Sequence, residues 1–477
     1  MSQQEAKTRT RRESYYHNGD VDFDELAAHD QAFAAICKGA KTRRWIDFKD
    51  PKVVQQLTRS LLKHDFNLSL TLPPDRLCPP VPVRWNYVRW IQDLLDTSTP
   101  FILDPRDARN GRKSRTNVVG LDIGVGASCI YALLACAAHP DWHMRGTDID
   151  AHSLEYARAN VKANGLEDRI TLSQSESAEA SLISVDENQP CTFVMTNPPF
   201  YSSEAEMRAS YTDKTAPASA ICTGSTNEML CPGGDLGFVL RILDESLVLR
   251  SQIQWYTAMF GHLSSLHLFV DKLREHKIDN YAVTSLHAGL RTKRWAIAWS
   301  FGPWRPKGEV ARHGDVSGGL APPTTAWSVE VPLMDAVWSW AKVDDVVNGL
   351  DVKWVHEGGM SGIMEAPGNT WSRAARRRKK FGNAEENQRG DDHTGESASK
   401  RRRLTDEQVA VNETNEAGLM VRISCKHEAV HIDWLRGNDT VLFESFCGVI
   451  RRSLIHLLPP LKKKENKASN DQAQQAG

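Results

Sequence analysis

An Asn-Pro-Pro-Phe motif follows an apolar run in the middle of the chain, and its functional groups are suited to chemistry on nitrogen. The motif comprises Asn197, Pro198, Pro199 and Phe200, directly after a predicted strand at 192–196. The prolines end the strand and fix the backbone. The Asn197 side-chain oxygen and the Pro198 carbonyl can accept the two hydrogens of an amine or amide nitrogen and so localise its lone pair, while Phe200 can stack on a planar base. These residues therefore predict a site that makes a planar nitrogen nucleophilic.

A glycine-rich turn lies earlier in the chain, in the segment VGLDIGVGAS. A buried strand is predicted at 117–123, the chain turns at Gly124 and Gly126, and a helix opens at Ala127. Glycines let the backbone approach a ligand, and the N–H groups of a helix N-terminus face it. Cys129 stands where a dinucleotide-binding loop has its third glycine, which favours a smaller adenosyl ligand. By itself this loop is also compatible with a plain tight turn.

An aspartate ends the next predicted strand, at 142–148. Asp148 follows Gly124 by 24 residues, and a carboxylate at this place can accept both hydroxyls of a ribose. We expect Asp150 to cap the following helix, which leaves Asp148 for the ligand. Strand, glycine loop, acidic residue and the Asn-Pro-Pro-Phe motif occur in this order. Together they predict S-adenosyl-L-methionine-dependent methylation of a planar nitrogen, with direct transfer and no metal ion.

The elements that position these residues alternate between strand and helix, which predicts an α/β fold with a doubly wound, Rossmann-like parallel sheet. A terminal hairpin is expected at 281–287 and 295–301. A helical N-terminal module precedes the sheet, with helices expected at 22–35, 51–64 and 85–95.

Composition and breaker residues predict several domains along the 477 residues. We expect a disordered basic arm at 1–20, the methyltransferase domain at 21–302, a Pro/Gly-rich linker at 303–325, a small α+β accessory domain at 326–460 and a disordered tail at 461–477. A basic insert at 372–416 is expected to be disordered and to split the accessory domain.

The composition excludes some classes of protein. Hydrophobic residues make up 40% and charged residues 25%, and no apolar run is long enough to predict a transmembrane helix or a secretory signal. The nine cysteines form no Cys-x-x-Cys pair, which favours reduced thiols in an intracellular protein. The formal net charge is −1, yet residues 373–403 hold eleven Lys/Arg against five Asp/Glu. Such clumping indicates a polyanionic partner or nuclear import, or simply a solvated tail.

Several segments resemble the U6 small nuclear RNA adenine-N6 methyltransferase family, whose bacterial relatives act on 23S ribosomal RNA. The matching segments, which run in order over about residues 20–302, are VPVRWNY, LDIGVGASCIY, NPPF, PGGDLGFVLRI and RTKRWAIAWSF. The resemblance implies methylation of adenine N6 in a structured RNA, most plausibly U6 small nuclear RNA. Asn197 to Phe200 match the catalytic motif without change.

The resemblance also implies cofactor-binding roles. Arg84 matches an arginine that contacts the cofactor, plausibly its carboxylate, and Gly124, Gly126 and Ser128 fall in the cofactor loop. Asp148 stands where the family usually has glutamate, so the charge is kept and the reach is shorter. A further contact is expected within 173–179.

RNA-binding roles are implied for basic residues at both ends of this region. They are Arg9, Arg11 and Arg12 in the arm and Arg291 and Arg294 in the segment RTKRW. Exposed charges on a hairpin are the alternative interpretation of the last two. The accessory domain resembles an RNA-binding module of the family only in outline.

The sequence thus predicts a nuclear RNA adenine-N6 methyltransferase that binds S-adenosyl-L-methionine. Three alternatives stay open: a ribosomal RNA adenine-N6 methyltransferase, a protein glutamine methyltransferase, and an RNA-binding splicing factor with secondary catalysis. Two basic clusters, 376–380 and 400–403, are the predicted nuclear import signals. The oligomeric state is not predicted.

Overall fold

The computed structural model describes residues 14–17, 21–40, 43–99, 118–184, 190–212, 224–288, 292–315, 318–331, 336–373, 375, 418–426 and 428–454. The chain divides into two compact units, residues 1–325 and 326–477. The arm residues Arg9, Arg11 and Arg12, Arg291, both basic clusters and nearly all of the predicted insert lie outside the described residues.

The first unit begins with four helices whose N-termini are defined mainly by aspartates and prolines. They are α1 Phe23–His29, α2 Gln31–Ile36, α3 Pro51–Phe66 and α4 Val81–Thr97. Asp22, Asp30 and Asp50 each accept backbone N–H groups as N-caps. The backbone of Asp30 is extended, so α1 ends before this residue and α2 begins after it. The single helix predicted at 22–35 is therefore wrong.

A large mixed sheet follows, with helices between its strands. Its elements are β1 Val118–Ile123, α5 Ile130–Ala138, β2 Trp142–Asp148, α6 Ala151–Ala163, β3 Ile170–Gln174, β4 Phe193–Thr196, α7 Glu204–Thr212, α8 Thr226–Met229, α9 Gly234–Leu249, β5 Trp255–Phe260, α10 Leu263–Glu275, β6 Tyr281–Ala288, β7 Thr292–Trp299, α11 Gly308–Ala311 and β8 Arg312–His313. The strand order is β3-β2-β1-β4-β5-β7-β6-β8.

The first five strands of the sheet pair in parallel, and β7 runs antiparallel between β5 and β6. The order reverses at β1, where β4 lies on the side opposite β2. A doubly wound sheet places its ligand at this switch point, outside the carboxyl ends of the strands. The predicted α/β, Rossmann-like fold class is confirmed.

The segment predicted as a linker, 303–325, belongs to the first unit instead. It contains α11 and β8, and β8 pairs with β6. The fully buried Trp90 of α4 donates its indole N–H to the Val310 carbonyl at 3.0 Å. Pro/Gly content alone suggested a linker, but these contacts hold the segment against the domain.

Residues 14–17 of the predicted basic arm pack against α4. Tyr16 exchanges backbone hydrogen bonds with the Asn86 side chain at 2.7 and 2.9 Å, and Trp85 donates to the Ser14 carbonyl at 2.7 Å. Tyr15 stacks on His313 with ring centroids 4.6 Å apart and donates to Asp93. The predicted disorder of 1–20 therefore does not extend to these residues, because α4 anchors them.

Among its described residues, the second unit contains a five-stranded antiparallel sheet with the two helices named here. Its elements are β9 Ala326–Glu330, α12 Ala336–Asn348, β10 Lys353–His356, β11 Ser361–Ala366, β12 Leu419–Lys426, β13 Ala429–Arg436 and α13 Thr440–Leu454. The strand order is β10-β11-β12-β13-β9. Apolar residues of α12, α13 and the sheet form its core. The strand β11 has no counterpart in the sequence prediction.

Some features are absent from the part of the chain that the structure describes. No helix there is long and apolar enough to span a membrane, and no three His, Cys, Asp or Glu side chains are arranged to hold a metal ion. The eight cysteines described are free.

Candidate active site

A cavity of about 560 Å³ opens at the carboxyl ends of β1, β2 and β4, at the switch point of the sheet. Eight of the nine predicted catalytic and cofactor residues line it: Arg84, Gly124, Gly126, Ser128, Asp148, Asn197, Pro198 and Pro199. The ninth, Phe200, follows directly in the chain. The fold thus brings together residues that the sequence spreads over more than one hundred positions.

The loop after β1 needs its glycines for backbone conformation. Gly124 and Gly126 have φ of 75° and 63°, where L side chains are strained. A Cβ on Gly124 would meet no atom within 4 Å, so space alone would tolerate a side chain. Gly124 donates to the Thr147 carbonyl at 2.8 Å, which ties the loop to β2. The loop therefore offers bare backbone to the cavity.

Asp148 ends β2 beside this loop. Its two oxygens accept the N–H groups of Gly126 and Asp150 at 2.8 and 2.9 Å. Burial raises the pKa of Asp148, and those N–H groups oppose the rise. Asp150 caps α6 by accepting from the backbone of His152 and Ser153, as predicted. Each Asp148 oxygen keeps lone pairs for a second donor such as a ribose hydroxyl.

Arg84 is a buried cation, only 6% exposed, on α4. Its guanidinium donates to the Tyr131 hydroxyl at 2.6 Å and points Nη1 at the Met259 sulfur at 3.4 Å. Its Nε has no hydrogen-bond partner among the described residues. A buried guanidinium with an unused donor at a cavity wall suits an anionic ligand group.

Asp122, at the end of β1, is a residue that the sequence interpretation missed. It is fully buried, and neither carboxyl oxygen has a hydrogen-bond partner in the described structure. Burial raises its pKa from 3.8 to about 8, nearby Asp148 adds to the rise, and Arg84 opposes it. Its position two residues before Gly124, at a strand end, is the signal that could have identified it. Asp122 is not among the residues that line the cavity, so it acts on the site through the charges of Arg84 and Asp148 and not by contact with a ligand.

We expect Asp122→Asn to stabilise the ligand-free protein at about pH 8 by roughly 1–3 kcal/mol, because asparagine cannot ionise and so avoids the cost of an unpaired buried charge. The folded-state pKa exceeds the ordinary value, so the folded protein holds a proton that the unfolded chain releases between pH 3.8 and about 8. The contribution of Asp122 to the free energy of unfolding therefore falls as pH rises through that window. Thermal melts across it should decline less steeply in the variant. Identical pH slopes in both proteins would contradict the assigned burial cost.

Asn197 follows β4 at the cavity wall. Its side-chain oxygen is buried and has no hydrogen-bond partner among the described residues. Buried acceptors are normally satisfied, so such an orphan needs an explanation. A ligand N–H group in the cavity would supply the missing donor.

The Phe200 ring packs against the Gly261 backbone and makes a cation–π contact with Arg294. A Cβ on Gly261 would lie 2.8 Å from the ring, so the glycine backbone lies directly against Phe200. The guanidinium carbon of Arg294 lies 5.0 Å from the ring centroid, a cation–π contact. Arg294, predicted to bind RNA from a hairpin, is therefore in contact with the predicted catalytic motif.

Two further segments complete the cavity wall. Ser175, Ser177, Ala178 and Glu179 line it, within or next to the range where a further contact was expected. Glu228, which the sequence interpretation missed, also lines it and accepts from the Leu77 N–H.

These groups fit S-adenosyl-L-methionine. Bare loop backbone and the Asp148 carboxylate suit its nucleoside, while Arg84 suits the carboxylate of its amino-acid part. The fit rests on the orphan Nε of Arg84 and on the cavity volume.

Comparison with known proteins is consistent with this geometry. A family model described as RNA methyltransferase matches residues 4–303. The chain belongs to this RNA methyltransferase family. The predicted family and the predicted methyltransferase activity with S-adenosyl-L-methionine as cofactor are confirmed.

Two relatives and one solved structure show how far the similarity extends. The chain is 35% identical over 420 residues to the U6 small nuclear RNA (adenine-(43)-N(6))-methyltransferase of Schizosaccharomyces pombe, covering 86% of this chain and 95% of that protein. It is 37% identical over 266 residues to human RNA N(6)-adenosine-methyltransferase METTL16, covering 54% of this chain and 44% of that protein. The crystal structure of the hMettl16 catalytic domain with MAT2A 3′UTR hairpin 6 matches with a TM-score of 0.50 and 32% identity, covering 63% and 95% of the two chains. Similarity to the yeast enzyme therefore extends into the second unit, beyond residue 325.

Proposed function

We propose that the protein is an S-adenosyl-L-methionine-dependent RNA adenine-N6 methyltransferase whose substrate is U6 small nuclear RNA. The observation that carries the proposal is the buried, unpartnered Asn197 oxygen at the cavity wall, followed by two prolines and Phe200. The yeast relative named above, which this chain matches over 95% of its length, supports the choice of substrate.

The residues of this chain act by binding and orienting. The target adenine, flipped out of a structured RNA, enters beside Asn197 and stacks on Phe200. The Asn197 oxygen and the Pro198 carbonyl accept the two hydrogens of the exocyclic amine, which localises its lone pair toward the cavity. Arg84, Asp148 and the glycine loop would hold the cofactor, which would supply an electrophilic methyl group. Positioning therefore provides most of the catalysis.

Methylation of total RNA by the purified protein, followed by mapping of the labelled nucleotide, tests the proposal. We expect label on N6 of one adenine of U6 small nuclear RNA. Label in ribosomal RNA would show that ribosomal RNA, and not U6 RNA, is the substrate. Label on glutamine in a protein extract would show that the protein is a glutamine methyltransferase instead. Binding of U6 RNA without any label would favour a splicing factor without catalysis.

We also propose a nuclear location, with the clusters 376–380 and 400–403 supplying import and the second unit adding RNA contacts. Changing both clusters to serine in the full chain is expected to shift the protein to the cytoplasm and to weaken U6 binding, with a shallower salt dependence. Fluorescence microscopy and filter binding at several salt concentrations measure the two effects separately. The isolated segment 370–405 on a large reporter is the control. Its retention in the cytoplasm would contradict the import role.

A further inference from the structure

The helix α9 begins in the segment PGGDLGFVLRI, which is part of the family resemblance but has no role in the mechanism above. One end of α9 lies against the catalytic motif. Side chains two and three turns along it hold a loop that lines the cofactor cavity. The contacts at each end involve a carboxylate and backbone N–H groups.

Asp235, in the first turn of α9, is 2% exposed. Its Oδ2 accepts the N–H groups of Gly261 and His262 at 3.0 and 3.2 Å, and the His262 ring nitrogen lies 3.4 Å from the same oxygen. Hydrogen bonds to an ionised acceptor are among the stronger ones in proteins. Asp235 therefore fixes the turn that follows β5.

That turn carries the backbone on which Phe200 packs. A Cβ added to Gly261 would lie 2.8 and 2.9 Å from the Phe200 Cγ and Cδ1 atoms, closer than any side chain tolerates. The start of α9 touches the motif directly as well, because a Cβ on Gly234 would lie 3.0 Å from the Phe200 carbonyl oxygen. Phe200 is thus placed by two backbone surfaces, and Asp235 ties them together.

Glu245, farther along α9, holds the loop at the other end of the cavity. Its carboxylate accepts from the Ser181 hydroxyl at 2.9 Å and from the backbone of Leu182 and Ile183 at 2.8 Å each. Arg241 donates to the Ala180 carbonyl at 3.0 Å. Ala180, Ser181 and Leu182 all line the cavity.

We propose that α9 positions both halves of the active site: Asp235 sets Phe200 for the target adenine, and Glu245 sets the cofactor loop. This inference rests on the proposed function for the identity of the two ligands. Both are positioning residues, since each acts through other groups. The division of labour predicts that loss of one carboxylate affects turnover and loss of the other affects cofactor affinity.

The first arm of the test is Asp235→Ala, with Asp235→Asn and Asp244→Ala as matched variants. We expect kcat of Asp235→Ala to fall about 10²-fold because a catalytic group is misplaced, with the affinity for S-adenosylhomocysteine unchanged. Hydrogen exchange of the peptide 255–265 should accelerate, which reports the turn independently of turnover. Asp235→Asn, whose oxygen still accepts both N–H groups, should restore most of kcat. The exposed Asp244 on the same helix should behave as wild type.

The second arm is Glu245→Ala, measured by calorimetric titration with S-adenosylhomocysteine. We expect the Kd to rise about tenfold, because the loop that has lost its anchor must now be ordered when the ligand binds. The kcat at saturating cofactor should stay nearly unchanged. Thermal melts of all variants identify any that fail to fold, and Glu245→Gln then replaces the alanine variant.

Three results would overturn the proposal: wild-type kcat in Asp235→Ala despite faster exchange at the turn, an equal loss of cofactor affinity in both alanine variants, or wild-type affinity in Glu245→Ala. A wild-type protein that methylates no RNA would instead overturn the proposed function. The titration and the hydrogen exchange would still test the role of α9 in that case.

Discussion

Replacing Asn197 with alanine is expected to abolish methyl transfer and to leave cofactor binding almost intact. Loss of one preorganised hydrogen-bonding group commonly costs about 10²–10³-fold in kcat. In the proposed mechanism the lost oxygen is the acceptor that localises the amine lone pair, so we expect the upper end of this range or more. The proposal assigns cofactor binding to Arg84, Asp148 and the glycine loop, so the Kd of the cofactor should stay within about threefold.

Calorimetric titration with S-adenosylhomocysteine and a single-turnover assay on U6 RNA measure the two quantities. The matched control is Asn227→Ala, because Asn227 lines the same cavity but is exposed to solvent. We expect its turnover to stay close to wild type. Retained turnover in the Asn197 variant would remove Asn197 from the mechanism and leave its orphan oxygen unexplained.

The Asn197 wall of the site was predictable from the sequence because its residues are consecutive. A motif that directly follows a buried strand is placed by that strand, so local order determines three-dimensional position. The same reasoning located Gly124 and Asp148 at neighbouring strand ends, since carboxyl ends of parallel strands meet at one edge of a sheet.

The contacts that sequence reasoning missed depend on long-range packing. In the sequence Asp122 is an ordinary strand residue. The fold buries it near Arg84, and its carboxyl has no hydrogen-bond partner among the described residues. The sequence places Arg294 only as a charged residue on a hairpin. In the structure, the pairing of β5 with β7 brings it into contact with Phe200. Asp30 shows that a local contact can also be missed. Apolar periodicity predicted one continuous helix, but the capping side chain of Asp30 divides it into two. No periodicity or composition signal encodes these contacts.

The segment 303–325 shows the limit of composition as a guide to domain boundaries. Its prolines and glycines are typical of linkers, yet Asn280 donates to the carbonyls of Gly302 and Trp304 at 2.9 Å each. The Arg305 side chain, which is only 1% exposed, pairs with Asp279 at 2.9 Å. A truncation intended to isolate the first unit should therefore end at Thr325 rather than near residue 305.

Replacing Arg84 with alanine is expected to weaken cofactor binding by about 10²-fold or more, the usual consequence of removing one partner of a buried charge pair. Arg84 is buried on α4, and its Nε is unpaired in the described structure, so a ligand carboxylate gains a partner there. Arg84→Lys keeps the charge but loses the planar fork, and its Kd should fall between the two. Arg89→Ala is the control, because Arg89 lies on the same helix and pairs with Asp93 at 3.0 Å.

A ligand pair separates this role from a general loss of structure. S-adenosylhomocysteine carries the amino-acid carboxylate, whereas methylthioadenosine has the same nucleoside without it. If Arg84 binds the carboxylate, the alanine variant should lose affinity for the first ligand and keep its affinity for the second. A collapsed cavity would weaken both ligands equally, since burial of Arg84 against Tyr131 also supports the wall. Equal affinity of wild type and variant for S-adenosylhomocysteine would show that the carboxylate is bound elsewhere.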